Sequence, residues 1–347
     1  MQPYNGGNDP QRGGVYSTGH GFYNPYAEPE WKREKKRIRA AGNGIGLASV
    51  GYVAVSFGAV LFLYAAIGVV NALRGGNFME VGENAQWVVT LITYILSLIV
   101  PFGIYALCIQ MPIGAAFPFR KMRGDITVGG IFVGLGAGIV ASYATSYLEQ
   151  ALGLFGIGIS MPEFEIPTAL PAKIIYIITM TVAPAFIEEM VFRGIVMQSL
   201  RRFGDMFALV SSAIIFGIFH LNLIQTPYTF ILGLCIGYFV MRTGSLWVGV
   251  IMHFLNNSIA TVLTLAEPYC SEEMFLFINL AYSLAAVMCG IIALCLLLVK
   301  YRDMFRFGDA PGVLSSGKRA AYFLTSPALI IAMLTAVVLT AQYIEIL

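Results

Sequence analysis

Residues 173–200 read KIIYIITMTVAPAFIEEMVFRGIVMQSL. The run is long enough to cross a hydrocarbon core as a helix, for which about 20 apolar residues suffice. Yet it carries Glu188, Glu189 and Arg193 in its second half. Ionisable groups at membrane depth are costly, so they turn toward a bundle interior or a wet cavity and mark a functional site. Two later apolar stretches repeat the pattern at helical spacing. SSAIIFGIFH (residues 211–220) ends on His220, four residues after Phe216, and GSLWVGVIMHFLNNSIA (residues 244–260) holds His253 and Asn257. Only three histidines occur in the chain, and two of them are here.

Working outward, the composition fits the same environment. The 347 residues are 58% hydrophobic and 12% charged, against about 25% charged in soluble domains. Nine apolar runs are expected to span a membrane, at about residues 44–73, 86–110, 126–147, 173–200, 206–222, 227–241, 246–265, 274–299 and 320–343. The fold class expected is all-α, a polytopic transmembrane helical bundle of about nine spans. The runs at 206–222 and 227–241 are short, which suggests a tilted pair or a helix that stops inside the membrane. Gly129, Gly130, Gly134, Gly136 and Gly138 give the third run a small-residue face suited to close helix packing.

Three regions follow from this division. Residues 1–31, rich in Gly, Asn, Pro and Tyr, are expected to form a disordered polar tail. They lack the apolar core of a cleavable signal peptide, so the first span is expected to direct its own insertion. Residues 32–43 form a basic juxtamembrane segment, in which Lys32–Arg39 is expected to contact anionic membrane lipids. Residues 44–343 form the membrane domain, with the polar chemistry confined to about 173–265. Of the 21 Lys and Arg, 18 fall on one side if the spans alternate; Arg74 and Lys173 fall on the other, and Arg193 lies within a span. The positive-inside rule then places the N-terminus in the cytoplasm and the C-terminus outside, with the plasma membrane as the expected location. The five cysteines (Cys108, Cys235, Cys270, Cys289 and Cys295) show no metal-ligand spacing, and no nucleic-acid motif is present.

Helix geometry assigns roles. Glu189 and Arg193, four apart, share a face and neutralise each other. Glu188 is turned about 100° away and has no basic partner on its own helix. Gly204 is a natural turn centre, and Glu188 precedes it by 16 residues as His220 follows it by 16. In an antiparallel pair the two come level, where a carboxylate and an imidazole can hold and deprotonate a water. Phe216 is expected to pack on the His220 ring. His253 and Asn257 share a face and can both donate to a developing oxyanion, with Asn256 and Ser258 as neighbouring alternatives. One tension remains, because Glu188 and His220 count about 24 Å from Gly204 while His253 counts about 14 Å from Gly244.

EExxxR with FRG (Glu188, Glu189, Arg193; Phe192–Gly194), FxxxH (Phe216, His220) and HxxxN (His253, Asn257) resemble the CAAX-protease and bacteriocin-processing family (CPBP), also called the Rce1-like or Abi intramembrane proteases. The resemblance covers about residues 173–260. It implies a CPBP/Abi-type helical core and an intramembrane endopeptidase acting on a membrane-associated or lipidated peptide. It further implies that Glu188 and His220 activate water, His253 and Asn257 form the oxyanion hole, and Glu189 and Arg193 support the site. The family is also described as metallopeptidases, for which Glu188, His220 and His253 would bind zinc with an open water position. No cofactor is expected here, since Asn257 is a poor zinc ligand and no HExxH occurs. Two rival readings are a catalytically silent bacteriocin-immunity or binding protein of the same fold, and a transporter with a Glu/His proton relay. The intact polar set argues for activity, and the lack of paired broken helices argues against transport. The resemblance favours a site open to the cytoplasmic side. The oligomeric state is not legible.

Overall fold

A computed structural model describes residues 28–160, 165–308 and 312–346. The expected tail falls largely on residues 1–27, outside the described residues. Its last part does not behave as tail, because helix α1 (Glu30–Leu73) already includes Glu30 and Trp31. The Lys, Arg and Glu of the basic segment are good helix formers, and nothing breaks the chain before the apolar run. At 44 residues α1 is about 66 Å long, more than twice a hydrocarbon core. Its basic first turns therefore extend beyond the membrane. Arg74 and then Gly75, at φ 78°, end it.

The chain continues through α2 (Glu83–Cys108), the short α3 (Ile113–Ala116) and α4 (Gly124–Gly153). Strand β1 (Ile157–Ile159) precedes the long composite helix α5 (Leu170–Phe203). Then come α6 (Asp205–Ile218), α7 (Gln225–Thr243), α8 (Leu246–Ala266), α9 (Glu272–Lys300), α10 (Ser316–Leu324), α11 (Pro327–Ala341) and β2 (Ile344–Ile346). β1 and β2 pair antiparallel, Ile157 opposite Ile346 and Ile159 opposite Ile344, so the last residues are tied to the loop after α4.

Among the described residues, six helices are long and apolar enough to cross a membrane, and seven if α10 and α11, bent by 67°, count as one span. The nine expected runs all fall on helices, but not all are simple spans. α6 has 14 residues, about 21 Å, short of a ~30 Å core. The last run is broken at Thr325–Ser326, ahead of Pro327, where proline disfavours a helical residue before it. Leu276, Phe277, Leu284, Met288 and Leu296 of α9 are all more than half exposed, the signature of a lipid-facing wall. α9 and α4 approach closely through glycine, since a Cβ on Gly136 would lie 3.0 Å from Ala286 O and one on Gly290 2.9 Å from Phe132 O.

The core lies where α5, α6, α7 and α8 meet, around Phe192, Val196, Met197, Leu200, Phe216, Ile236, Val240, Leu246 and Val248. α5 is irregular there. It is π-helical over Ile178–Val182 and Glu189–Val196 and α-helical between. Such π segments are rare and gather at functional sites. They fit more residues into each unit of length than an α-helix, so Glu188 lies closer to the Gly204 turn than an α-helical count predicts. The turn itself, with Gly204 at φ 118°, is where the sequence places it.

Candidate active site

The two glutamates on α5 diverge as the helical offset requires. Glu189 is fully buried and Arg193 is 1% exposed; Arg193 Nη1 donates to Glu189 Oε1 at 2.6 Å. The guanidinium also lies over the Phe216 ring, with Cζ 4.2 Å from its centroid, a cation–π contact. Glu189 Oε1 has a second partner, His253 Nδ1 at 2.9 Å. A carboxylate only accepts, so Nδ1 carries the proton, and the tautomer of His253 is set by Glu189. The expected Glu189–Arg193 pair is thus present and reaches further than its own helix.

Glu188 faces the other way. Its Oε1 accepts from the Tyr94 hydroxyl at 2.7 Å, from α2. Its Oε2 has no hydrogen-bond partner among the described residues and lies 3.8 Å from His253 Nε2. His220, in the turn after α6, donates Nδ1–H to Phe216 O at 2.9 Å, and the Phe216 ring meets both imidazoles edge-on with centroids at 5.0 and 6.1 Å. That bond satisfies one of the carbonyls left open where α6 ends, and leaves His220 Nε2 as an acceptor. Phe216 is the common spacer of both rings and the guanidinium.

Asn257 on α8 donates Nδ2–H to Met180 O at 3.2 Å, and its Oδ1 accepts from Asn256 Nδ2, also at 3.2 Å. Asn256 in turn accepts from Tyr228 OH at 3.0 Å. Met180 lies in the π-helical segment just ahead of Pro184, a residue that supplies no N–H to the turn before it. Among the described residues the second Asn257 N–H has no partner.

Glu188, Phe216, His220, His253, Asn256 and Asn257 line one cavity of about 350 Å³, together with Tyr94, Tyr228 and Thr229. The spacing tension in the sequence is resolved in this arrangement. Sequence reasoning missed Tyr94 and Tyr228, since a lone tyrosine in an apolar span carries no signal. The glycines of the motifs have steric reasons. A Cβ on Gly194 would lie 2.7 Å from Ala116 O, and one on Gly249 2.7 Å from Glu189 Oε2. Among the described residues no group of three or more His, Cys, Asp or Glu is placed to hold a metal ion. The Nδ1 bond of His253 to Glu189 leaves its Nε2 free, an orientation that metal-ligating histidines share.

A bundle of apolar helices enclosing a carboxylate, two imidazoles and an asparagine defines a polytopic membrane protein with a polar cavity among its helices. Residues 170–259, about a quarter of the chain, match the family model described as type II CAAX prenyl endopeptidase Rce1-like. That stretch runs from the start of α5 into α8 and holds every motif residue named above. Comparison with curated proteins and with solved structures gives no match.

Proposed function

We propose that this protein is an intramembrane endopeptidase that hydrolyses a peptide bond in a prenylated or otherwise membrane-associated protein. The observation that carries the proposal is the convergence of Glu188 from α5, His220 from the turn after α6, and His253 and Asn257 from α8 on one cavity. Glu188 Oε2 and His220 Nε2 are both acceptors, so a water held between them directs its lone pair at the scissile carbonyl carbon. Glu188 takes the water proton and delivers it to the leaving amine. The oxyanion is met by the uncommitted Asn257 N–H and by His253 Nε2–H. Because Nδ1 is committed to Glu189, Nε2 donates only from the doubly protonated ring. The charges then close within the site: Glu188 and Glu189 balance Arg193 and the His253 imidazolium.

The test is cleavage of a farnesylated CAAX peptide and of transmembrane peptides by the purified full chain in lipid nanodiscs. Wild type is compared with Glu188→Ala, with and without a chelator. Cleavage by wild type and loss in the variant is the expected result. Equal cleavage by both would remove the glutamate mechanism, and chelator inhibition reversed by zinc would replace it with a metal-dependent one.

A further inference from the structure

The helices run between two ends of the bundle, and the cavity is not centred between them. One end collects the basic loops, including Arg120, Arg201, Arg242 and Lys300. The other collects the strand pair β1–β2 and the starts of α2, α5, α7 and α9. Gln225 of the cavity wall is the first residue of α7, and Thr90 lies seven residues from the start of α2. Thr179 lies nine residues after Leu170, and Asn257 nine before Ala266. Counted from the basic end, Thr90 and Gln225 are each 18 residues away, from Cys108 and Thr243.

The basic side of the cavity is plugged. Beyond Glu188 and His253 lie Val196, Met197 and Leu200 of α5, Ile236 of α7, and Leu246 and Val248 of α8, each 0% exposed. The buried Glu189–Arg193 pair is set into the same plug. A peptide arriving from the basic end would have to displace a close-packed core and an ion pair together. On the other side the wall includes the half-buried polar residues Thr90, Gln225, Tyr228, Asn256 and Asn257.

We infer that the cavity is served from the end opposite the basic loops, which the positive-inside rule makes the extracytoplasmic face. The site then takes peptide segments presented at the outer leaflet, rather than cytoplasmic tails as the family resemblance alone favours. That these segments are substrates rests on the proposed hydrolysis; the direction of the opening does not.

Single cysteines introduced into a full-length chain lacking its own five test this by reaction with a membrane-impermeant maleimide. Gln225→Cys probes the mouth, Ser271→Cys the far end and Arg242→Cys the basic end. Denatured samples report total thiol. In intact cells Gln225→Cys and Ser271→Cys are expected to label and Arg242→Cys to label only in inside-out vesicles. Labelling of Gln225→Cys only from the inside, or from neither side, would overturn the inference. Labelling of Ser271→Cys only from the inside would overturn the orientation and the inference with it. None of these outcomes depends on catalysis, so a failure here and a failure of the peptidase assay are separate results.

Discussion

Replacing Arg193 by methionine keeps the side-chain volume and removes the charge facing Glu189. The carboxylate is fully buried, and its oxygen is 2.6 Å from the guanidinium. At an effective dielectric of about 20 the attraction at that separation is about 6 kcal/mol, an upper bound on what is lost. Removing one member of a buried pair costs about 3–5 kcal/mol in practice, because the survivor stays charged and unmatched. The hydrogen bond from His253 Nδ1 persists, so the lower part of that range is expected for Arg193→Met. Adding Glu189→Gln should recover most of the loss, since the amide oxygen still accepts from His253 and no charge remains unpaired. Unfolding in mixed micelles, followed by tryptophan fluorescence, gives both numbers. A single variant within about 1 kcal/mol of wild type, as for an exposed pair, would refute the reasoning. So would a double variant no more stable than the single.

Tyr94→Phe removes a hydrogen bond to a carboxylate worth about 1.5–3 kcal/mol; kcat should fall about tenfold to a hundredfold with KM little changed, and an unchanged kcat would take Tyr94 out of the mechanism. Asn257→Ala should lower kcat by about 10²–10³ and also destabilise, because Met180 O loses its donor. A kcat that Asn257→Ala leaves unchanged would place Asn257 outside the chemistry. Gly249→Ala puts a methyl 2.7 Å from Glu189 Oε2 and 2.8 Å from Val240 Cγ2, and a loss of about 1–3 kcal/mol is expected from overpacking. Glu34 lies in the basic first turns of α1. Burial opposes its charge, but the N–H groups of Leu314 and Val313 and the Arg319 guanidinium outweigh it and hold the carboxyl below its ordinary range. The stability it contributes is therefore present above that range and lost as the pH falls through the lowered value. Glu34→Gln should flatten the acid limb of the stability profile, and an unaltered limb would exclude Glu34 as its source.

Much of the site is legible because membrane burial makes polar residues conspicuous. Glu188, Glu189, Arg193, His220, His253 and Asn257 stand out by residue type alone, and helical spacing correctly pairs Glu189 with Arg193. The hairpin count from Gly204 brings Glu188 and His220 to one cavity because a tight glycine turn fixes the register of antiparallel helices. What spacing misses is sharing across helices. Glu189 is legible as a partner of Arg193, but its second bond, to His253, depends on α8 crossing α5 near Gly249. The bond from Asn257 to Met180 O likewise depends on how α8 packs on α5. Tyr94 is invisible for the same reason.

The sequence by itself determined that this chain is a helical membrane protein with its conspicuous intramembrane polar residues between residues 173 and 265. Hydrocarbon admits so few polar groups that length, hydropathy and residue type leave little freedom. It also determined the 16-residue symmetry of Glu188 and His220 about Gly204. Only the tertiary structure decided which oxygen of which glutamate meets which imidazole, and which side chains close-pack beside the cavity. Those depend on helix crossings, π-helical insertions and the packing of Val196, Met197, Leu200 and Ile236. They arise from contacts among several helices at once, and no single run of residues encodes them.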